Sequence, residues 1–386
     1  EIYMGDWSSD VCSSDLSTVL LSTLLAAQAG AATSFRERLP QDEVIYFLLP
    51  DRFANGDPAN DRGGLRGDRL ASGFDPTDKG FYHGGDLAGL AARLDYVQSL
   101  GATAIWLAPI FSNKPVQGAP GHESAGYHGY WVTDFTRVDP HFGTEREMRA
   151  LVAAAHARGM KVYLDIIANH TADVIGYREC AGRSCRYRPV PQKPYTPDVP
   201  RSEARVKVPA WLNDPAYYHN RGDSTFSGES IQLGDFAGLD DLMTEHPRVV
   251  EGFIDIFGRW IERHGIDGFR IDTARHVNPE FWRELVPAML ARAKAEGIGN
   301  FHIFGEVASD ELAVAPLADY ARSARLPSVL DFAFANAVRA AVAGRAGTDV
   351  LARVFAEDAL YEGGGGMAIH RKSTRLNSSH PYRSRM

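Results

Sequence analysis

The sequence has 386 residues, of which 44% are hydrophobic and 23% are charged. This length allows one large α/β domain or two ordinary ones with a sizeable core. The formal net charge of -8 argues against a nucleic-acid binder, because phosphate contacts need clustered Lys and Arg.

The two ends of the chain differ from its body. Residues 1–16 and 371–386 resemble translated sequencing-adapter sequence, with disordered tails as the alternative explanation. Residues 17–32 form an apolar run with small-residue cleavage patterns, so we assign residues 1–33 to an adapter-like leader and a signal-peptide remnant. No segment has the roughly 20 strongly apolar residues of a membrane-spanning helix. We therefore expect a secreted or periplasmic monomer with no membrane attachment after signal cleavage.

From residue 43 onward, short apolar runs rich in β-forming residues alternate with longer segments of helical period. The predicted strands read EVIYFLL, ATAIWLAP, KVYLDII, GFRIDT, FHIFGEV and SVLDFAF. The predicted helices include DLAGLAARLDYVQSLG, GTEREMRALVAAAHARGM, VVEGFIDIFGRWIERHG and NPEFWRELVPAMLARAKAEG, several with Gly at or just past the C-terminus. Repeated β-α units indicate a parallel sheet, either doubly wound or closed as a (β/α)8 barrel.

The position of polar residues separates these two architectures. No Gly-rich phosphate turn follows the first strand, and the GGGG at 363–366 lacks the flanking strand and helix of a nucleotide loop. Polar residues gather instead at the C-terminal ends of successive strands, namely Asp165, Asn169, His170, Arg270, Asp272 and Glu306. This pattern is typical of the catalytic face of a (β/α)8 TIM barrel, which is the fold class that we predict.

The stretch 171–241, rich in Pro, Tyr, Arg and Asp, interrupts the alternation after the third strand. It is too long for an ordinary connection and predicts a small inserted domain, with the barrel at 34–170 and 242–370. Cys180 and Cys185 lie close together within it. In an oxidising compartment they could form a disulfide, and the sequence leaves the free form equally open.

Asp272 and Glu306 are the candidate catalytic pair. Retaining glycoside hydrolysis needs two carboxylates about 5 Å apart, one as nucleophile and one as general acid/base. Arg270 lies two residues before Asp272, on the same face of the strand, where its charge would keep Asp272 ionised. Glu306 has apolar neighbours and no adjacent cation in the sequence, which would favour the protonated form that a proton donor needs. On spacing alone, either carboxylate could instead belong to a structural ion pair.

The segment FANGDPANDRGG, residues 53–64, follows the first strand as a turn-rich loop. Its Asn55, Asp57, Asn60 and Asp61 offer the hard oxygen ligands that Ca2+ prefers. The same residue types also form ordinary turns, so a calcium site and a plain loop both fit.

Four further motifs occur in the order and spacing of the signature regions of the α-amylase family, glycoside hydrolase family 13. They are DIIANH (165–170), GLDDL (238–242), GFRIDTARH (268–276) and FGEV (304–307). The resemblance covers about residues 43–360 and includes YHGYW at 127–131. It implies a (β/α)8 barrel with a B domain inserted after the third strand. It also implies that Asp272 is the nucleophile of a β-glycosyl intermediate and that Glu306 is the acid/base.

The resemblance further implies a set of substrate contacts, namely His128, Tyr130, His170, Arg270, Arg275 and His276. Tyr130 matches the aromatic residue that stacks on the reacting glucose, and Arg275 with His276 match the pair on the leaving-group side. A pyranose presents hydroxyl edges for hydrogen bonds and an apolar face for an aromatic ring. Taken alone, Tyr130 would be interpreted as a core residue and His170 as a structural histidine.

Two calcium sites are implied by the same resemblance, so Ca2+ is the expected cofactor. In the first, the Gly84 carbonyl and Asp86 join the oxygen ligands of the 53–64 loop. The second would use Asn169, Asp241 and the carbonyl of His276, at the junction with the inserted domain.

The sequence departs from the family pattern in one region. The third essential carboxylate, in an Asn-His-Asp signature on the seventh strand, has no counterpart, because GGGGMAIH (363–370) leads directly into the basic tail. We therefore expect an incomplete barrel, with strands seven and eight missing, and an inactive chain.

The expected function of the intact protein is hydrolysis of α-1,4 bonds in starch or maltodextrins with retention. Ala237 stands where transglycosylases of the family carry a bulky aromatic residue, which favours hydrolysis. A cyclodextrin glucanotransferase or another α-glucan transglycosylase stays an alternative. So does a non-catalytic glucan-binding fragment, because the third carboxylate is missing.

Overall fold

The computed structural model describes residues 35–180 and 185–361 and the backbone of residues 368–369. The predicted leader, Cys12 and the predicted tail lie outside these residues. The described strands are β1 (Ile45–Leu48), β2 (Ala104–Leu107), β3 (Phe111–Asn113), β4 (Val116–Gln117), β5 (Ser124–Ala125), β6 (Val132–Val138), β7 (Lys161–Ile166), β8 (Gly176–Tyr177), β9 (Pro197–Asp198), β10 (Gly268–Ile271), β11 (His302–Gly305), β12 (Ser328–Leu330) and β13 (Ala368–Ile369).

The described α-helices cover the segments between the parallel strands. They are α1 (Arg69–Ser72), α2 (Leu87–Ala92), α3 (Leu94–Ser99), α4 (Glu145–His156), α5 (Ser230–Leu233), α6 (Pro247–His264), α7 (Pro279–Ala295), α8 (Ala315–Ala324), α9 (Phe332–Val342) and α10 (Asp349–Ala356). None of these helices combines the length and the apolar character needed to cross a membrane.

Seven of the strands form one parallel sheet, in the order β1-β2-β7-β10-β11-β12-β13. Each strand pairs with the next parallel strand along the chain, as in a (β/α)8 barrel. In a doubly wound sheet, the strand order would instead reverse, with later strands added on the other side of the first strand. Within the described residues, β1 and β13 are not paired with each other, so the sheet is open. This arrangement confirms the predicted incomplete barrel.

One detail of that prediction is wrong, because the seventh position of the sheet is not empty. The two residues of β13 pair with Val329 and Leu330 of β12. A two-residue run close behind four glycines carries no strand signal in the sequence, so periodicity does not reveal β13. No eighth parallel strand occurs among the described residues.

Capping residues correct two predicted element boundaries. The predicted helix DLAGLAARLDYVQSLG is interrupted at Arg93, whose backbone angles of -114° and 11° separate α2 from α3. The predicted strand SVLDFAF ends at Leu330, because the Asp331 side chain accepts a hydrogen bond from the Phe334 N–H and starts α9 there. A short buried apolar run looks the same in a strand and in a helix, so the capping residue determines where the strand ends and the helix begins.

The described residues of the stretch 171–241 form short strands, turns and α5, and the buried Asp240 carboxylate joins the two ends of the stretch. The Lys207 ammonium lies 2.6 Å from Asp240, with both side chains at least 97% buried. The Asp240 carboxylate also accepts hydrogen bonds from the backbone N–H groups of Val174 and Ile175. Cys180 and Cys185 form a disulfide, with 6.0 Å between their Cα atoms. The domain boundaries at 171 and 241 stay a prediction.

Candidate active site

An ion pair between Asp165 and Arg270 forms the floor of the candidate site. Asp165 on β7 and Arg270 on β10 occupy paired positions of neighbouring parallel strands. The Arg270 Nη1 lies 2.9 and 3.0 Å from the two Asp165 carboxylate oxygens. Asp165 is fully buried and Arg270 is 4% exposed, so each charge needs the other to offset its loss of solvation.

The two candidate catalytic carboxylates contact the same guanidinium. Arg270 Nη1 donates to Asp272 Oδ1 at 2.8 Å, and Arg270 Nη2 lies 2.8 Å from Glu306 Oε2. Asp272 follows β10 and Glu306 follows β11, so the parallel pairing of these strands brings together residues 34 positions apart in sequence. The expectation that Glu306 lacks an adjacent cation is therefore wrong, because its partner comes from the neighbouring strand.

Burial dominates the electrostatics of this cluster. Burial raises the pKa of Asp272 well above its usual range, against the opposing charge of Arg270, and the carboxylates of Glu306 and Asp165 raise it further. Burial likewise raises the pKa of Asp165 to about 6. Three carboxylates share one guanidinium, so full ionisation would leave a net negative charge in a buried site. Arg270 favours the ionised form of Asp272, as predicted, and works against burial and the two neighbouring carboxylates.

The Asp165 carboxyl should make the protein less stable as the pH rises from about 4 to about 6. Its pKa is raised from 3.8 to about 6, so the folded state binds this proton more tightly than the unfolded state does. The contribution of the protonated group is complete below the unfolded pKa and is lost as the pH rises through the folded pKa. Urea unfolding at pH 4 and pH 7 should show a larger loss for the wild type than for Asp165→Asn. Equal losses in the two proteins would contradict this prediction.

Tyr130 and Trp106 complete the hydrogen bonding of Asp165. The Tyr130 hydroxyl donates to Asp165 Oδ2 at 3.1 Å, and the Trp106 Nε1–H donates to the same oxygen at 3.0 Å. His128 stacks on Tyr130 at a centroid distance of 5.6 Å, and its Nδ1 accepts the Tyr130 backbone N–H at 3.0 Å. The structure therefore places the predicted sugar-contacting residues Tyr130 and His128 directly beside the charged cluster.

His170 and His276 both pack against Phe236. The His170 ring stacks on Phe236 at 5.5 Å, and the His276 ring meets it edge-on at 4.9 Å. His170 is fully buried and its Nε2 has no hydrogen-bond partner. Burial lowers the pKa of His170 to about 3, so its imidazole is neutral. His276 Nδ1 donates to the Ile231 carbonyl at 2.9 Å. Arg275, the remaining predicted contact, donates to the Ala308 carbonyl.

Sequence reasoning missed three contributors to this arrangement. Trp106 reads as an ordinary core residue of a strand, and Phe236 precedes the GLDDL motif without a pattern of its own. Thr273 adopts φ 48° and ψ 36°, which no sequence motif signals for a threonine, and its N–H donates to Glu306 Oε2 at 3.0 Å. Asp165 was recognised as a strand-end residue, but its role as the shared partner of Arg270, Tyr130 and Trp106 emerges only from the structure.

The residues of the first predicted calcium site converge on one loop. Asn55 Nδ2 donates to Asp61 Oδ1 at 2.7 Å, and a Cβ on Gly84 would lie 2.6 Å from that same oxygen. The Asn60 Oδ1 is buried without a hydrogen-bond partner. Burial raises the pKa of Asp61, and the nearby charges of Asp86 and Asp57 raise it further. Clustered oxygen atoms and uncompensated negative charge are the surroundings that a Ca2+ ion needs.

The predicted calcium ligand Asp86 accepts hydrogen bonds from four donors. Its Oδ1 accepts from the N–H groups of Gly56 and Gly89, and its Oδ2 accepts from the N–H of Asp57 and the amide of Asn60. Both carboxylate oxygens are therefore occupied, and the bond from Gly89 caps α2. In this structure Asp86 therefore orients the loop through its hydrogen bonds to Gly56, Asp57 and Asn60.

The second predicted calcium site is already paired internally. Asp241 Oδ2 lies 2.5 Å from His219 Nδ1, and His219 Nε2 lies 3.0 Å from Glu245 Oε1. Burial alone would lower the pKa of His219, but these two carboxylates raise it to about 10. A protonated His219 therefore neutralises Asp241, and this site fits Ca2+ less well than the first. Asn169 lies beside it, with its carbonyl accepting the Leu242 N–H at 2.9 Å.

The described ranges contain no group of three or more His, Cys, Asp or Glu side chains arranged to hold an ion. Three of the predicted first-site ligands are of other types, namely the side-chain amides of Asn55 and Asn60 and the backbone carbonyl of Gly84.

Comparison with known proteins agrees with this geometry. The alpha-amylase catalytic domain matches residues 47–363. An alpha-amylase of Streptomyces lividans is 49% identical over 327 residues, which are 77% of this chain and 35% of the relative. A cyclomaltodextrin glucanotransferase of Klebsiella oxytoca is 31% identical over 335 residues, which are 85% of this chain and 47% of the relative. The chain thus spans between a third and a half of the length of these relatives.

Among solved structures, the alpha-amylase of Geobacillus thermoleovorans, complexed with acarbose, superposes with a TM-score of 0.64 at 33% sequence identity. The superposition covers 85% of this chain and 60% of that one. The fold, the order of the motifs and the match over residues 47–363 all point the same way. This chain therefore belongs to the α-amylase family.

Proposed function

We propose that the intact protein is a retaining glycoside hydrolase that cleaves α-1,4-glucosidic bonds of starch or maltodextrins. The observation that carries this proposal is the placement of Asp272 and Glu306 on neighbouring strand ends, where both contact one guanidinium. Two carboxylates brought this close favour the retaining geometry over the inverting one, which needs room for a water molecule between them.

In the proposed mechanism, a carboxylate oxygen of Asp272 attacks the anomeric carbon. The glycosidic oxygen leaves with the proton of Glu306, and a glycosyl–Asp272 ester is formed. Glu306 then removes a proton from water, the water oxygen attacks the same carbon, and the ester bond to Asp272 breaks. Arg270 supports both steps, because its charge offsets the negative charge that returns to the two carboxylates.

The surrounding side chains suit a pyranose ring. We propose that Tyr130 presents its ring to the apolar face of the sugar, and that His128, His170 and Arg270 bond the hydroxyl groups. The unpartnered Nε2 of His170 supports this assignment, because a buried nitrogen without a partner gains most from a ligand hydroxyl. Arg275 and His276 would contact the sugar on the leaving-group side.

The test of the proposed function is an assay of the purified intact protein on soluble starch and on maltoheptaose. Release of reducing ends, with the α-anomer as the first product in proton NMR spectra, is the expected result. Release of the β-anomer would contradict the retaining mechanism. Binding to starch without any release of reducing ends would instead support the non-catalytic glucan-binding alternative.

Transglycosylation is the second candidate, since a cyclomaltodextrin glucanotransferase is among the relatives. Ala237 is exposed and has a positive φ of 53°. Its methyl group stands where transglycosylases of the family are expected to carry a bulky aromatic residue. A small side chain leaves room for water on the acceptor side. Chromatography of the products should therefore show linear maltooligosaccharides, and cyclic products would favour the transferase.

We further propose that Ca2+ binds the 53–64 loop through the oxygen atoms of Asn55, Asp57, Asn60 and Asp61 and the carbonyl of Gly84. A bound Ca2+ would link the loop to the segment around Gly84, because both would supply oxygen ligands to it. The unpartnered Asn60 Oδ1 supports this assignment. Export to an oxidising compartment is also proposed, supported by the Cys180–Cys185 disulfide.

Calcium should raise the melting temperature of the protein. At a concentration of 100 times the Kd, a ligand that binds only the folded state stabilises it by about 2.7 kcal/mol. The double variant Asp57→Asn/Asp61→Asn should lose this response, because two of its anionic ligands are gone. Asp241→Asn should keep the response, and the exposed carboxylate variant Asp95→Asn serves as a surface control. An unchanged response in the double variant would exclude the 53–64 loop as the site.

A further inference from the structure

The backbone of Thr273 adopts a conformation that threonine rarely takes. Its φ of 48° lies in the left-handed region, and it is the only β-branched residue among the described non-glycine residues with positive φ. The residue is 6% exposed, and its Oγ1 is buried without a hydrogen-bond partner. The strained conformation therefore gains nothing from the side-chain hydroxyl.

The conformation is held from outside by two aromatic side chains. The next residue, Ala274, offers its carbonyl to both the Trp282 Nε1–H, at 3.1 Å, and the Tyr320 hydroxyl. Tyr320 is also 2.7 Å from the carbonyl of Val277, and its oxygen lies 3.0 Å from Trp282 Nε1. These contacts fix the short turn Ala274–His276 that follows Thr273. Backbone strain persists only where surrounding contacts over-determine it, as they do here.

The strained turn aims one backbone donor at the site. The Thr273 N–H lies 3.0 Å from Glu306 Oε2, the same oxygen that contacts Arg270 Nη2 at 2.8 Å. An oxygen that accepts two donors is a poor position for a proton, so the transferable proton of Glu306 belongs on Oε1.

We infer that Thr273 is a positioning residue whose left-handed backbone, held by Trp282 and Tyr320, directs its N–H to Glu306 Oε2 and so fixes which oxygen of the acid/base carries the proton. This inference rests on the proposed function, since it assigns a role within the same reaction. It predicts that loosening the turn impairs proton donation more than it impairs nucleophilic attack.

The experiment compares Tyr320→Phe, Thr273→Gly, Thr273→Ala and Thr273→Val with the wild type, each in the intact protein. Each protein is assayed on maltoheptaose, whose leaving group needs a proton, and on α-maltotriosyl fluoride, whose fluoride leaves without one. Tyr320→Phe removes the hydroxyl that contacts the Ala274 and Val277 carbonyls and so loosens the turn. Its kcat/KM on maltoheptaose should therefore fall by about 10–100-fold, while kcat/KM on the fluoride changes by less than about 3-fold. Thr273→Val keeps the branched shape and loses only the unpartnered hydroxyl, so it should match the wild type on both substrates.

An equal fall on both substrates, or no change in Tyr320→Phe, would overturn the inference. If the wild type turns over neither substrate, the proposed function fails, and a thermal measurement then decides the structural part. At an ordinary φ the alanine variant is the more stable, whereas at a left-handed φ the glycine variant is. We expect Thr273→Gly to melt roughly 2–4 °C above Thr273→Ala, and the reverse order would refute the strained turn.

Discussion

In the intact protein, the variant Asp272→Asn should lose activity on maltodextrins by about 10^4-fold or more without losing stability. The amide cannot form the glycosyl ester, so the double displacement stops at its first step. The side chain keeps its shape, and its amide oxygen can still accept the hydrogen bond that Arg270 Nη1 donates to Asp272 Oδ1 at 2.8 Å. Initial rates on maltoheptaose, together with urea unfolding at pH 7, measure the two effects.

The stability part of this prediction follows from the charge balance of the site. Asp165, Asp272 and Glu306 surround one guanidinium, so removing one negative charge relieves repulsion in a buried cluster. The urea midpoint of Asp272→Asn should therefore equal or exceed that of the wild type. Asp319→Asn, at a side chain that is 71% exposed, is the matched control and should change neither activity nor midpoint. A stable variant with near wild-type activity would remove Asp272 from the role of nucleophile.

Replacing Arg270 with leucine should destabilise the protein by about 3–5 kcal/mol at pH 7, the typical cost of removing one partner of a buried ion pair. Arg270 is 4% exposed and contacts all three carboxylates of the cluster. Without it, Asp165, which is fully buried, keeps only the hydrogen bonds from Trp106 and Tyr130. Urea or thermal unfolding followed by circular dichroism measures this loss.

Two controls separate the loss of charge from the loss of packing. At pH 4 the carboxyl groups with raised pKa values hold protons, so the penalty of Arg270→Leu should shrink. Arg270→Lys restores the charge but not the planar group that reaches two carboxylates at once, so it should lie between the wild type and the leucine variant. A penalty that is the same at pH 4 and pH 7 would show that packing, and not charge, is what Arg270 contributes.

Much of the fold was predictable because it depends on local and periodic features. The six predicted parallel strands all occur, since apolar runs flanked by helical segments leave few other arrangements. The boundaries that failed, at Arg93 and Asp331, depend on single backbone angles and caps that periodicity does not register. The short β13 failed for a similar reason, because only pairing with β12 defines it as a strand.

The sequence alone determined which side chains stand at the strand ends, because the alternation of a strand and the order of parallel strands fix that placement. It could not determine how those side chains pair. Arg270 reaches Glu306 on the neighbouring strand, Asp241 pairs with His219, and Asp86 accepts a hydrogen bond from the Asp57 N–H. Each of these contacts joins residues more than 20 positions apart. The charge state of the site follows from burial and from such distant partners, so only the tertiary structure decided it.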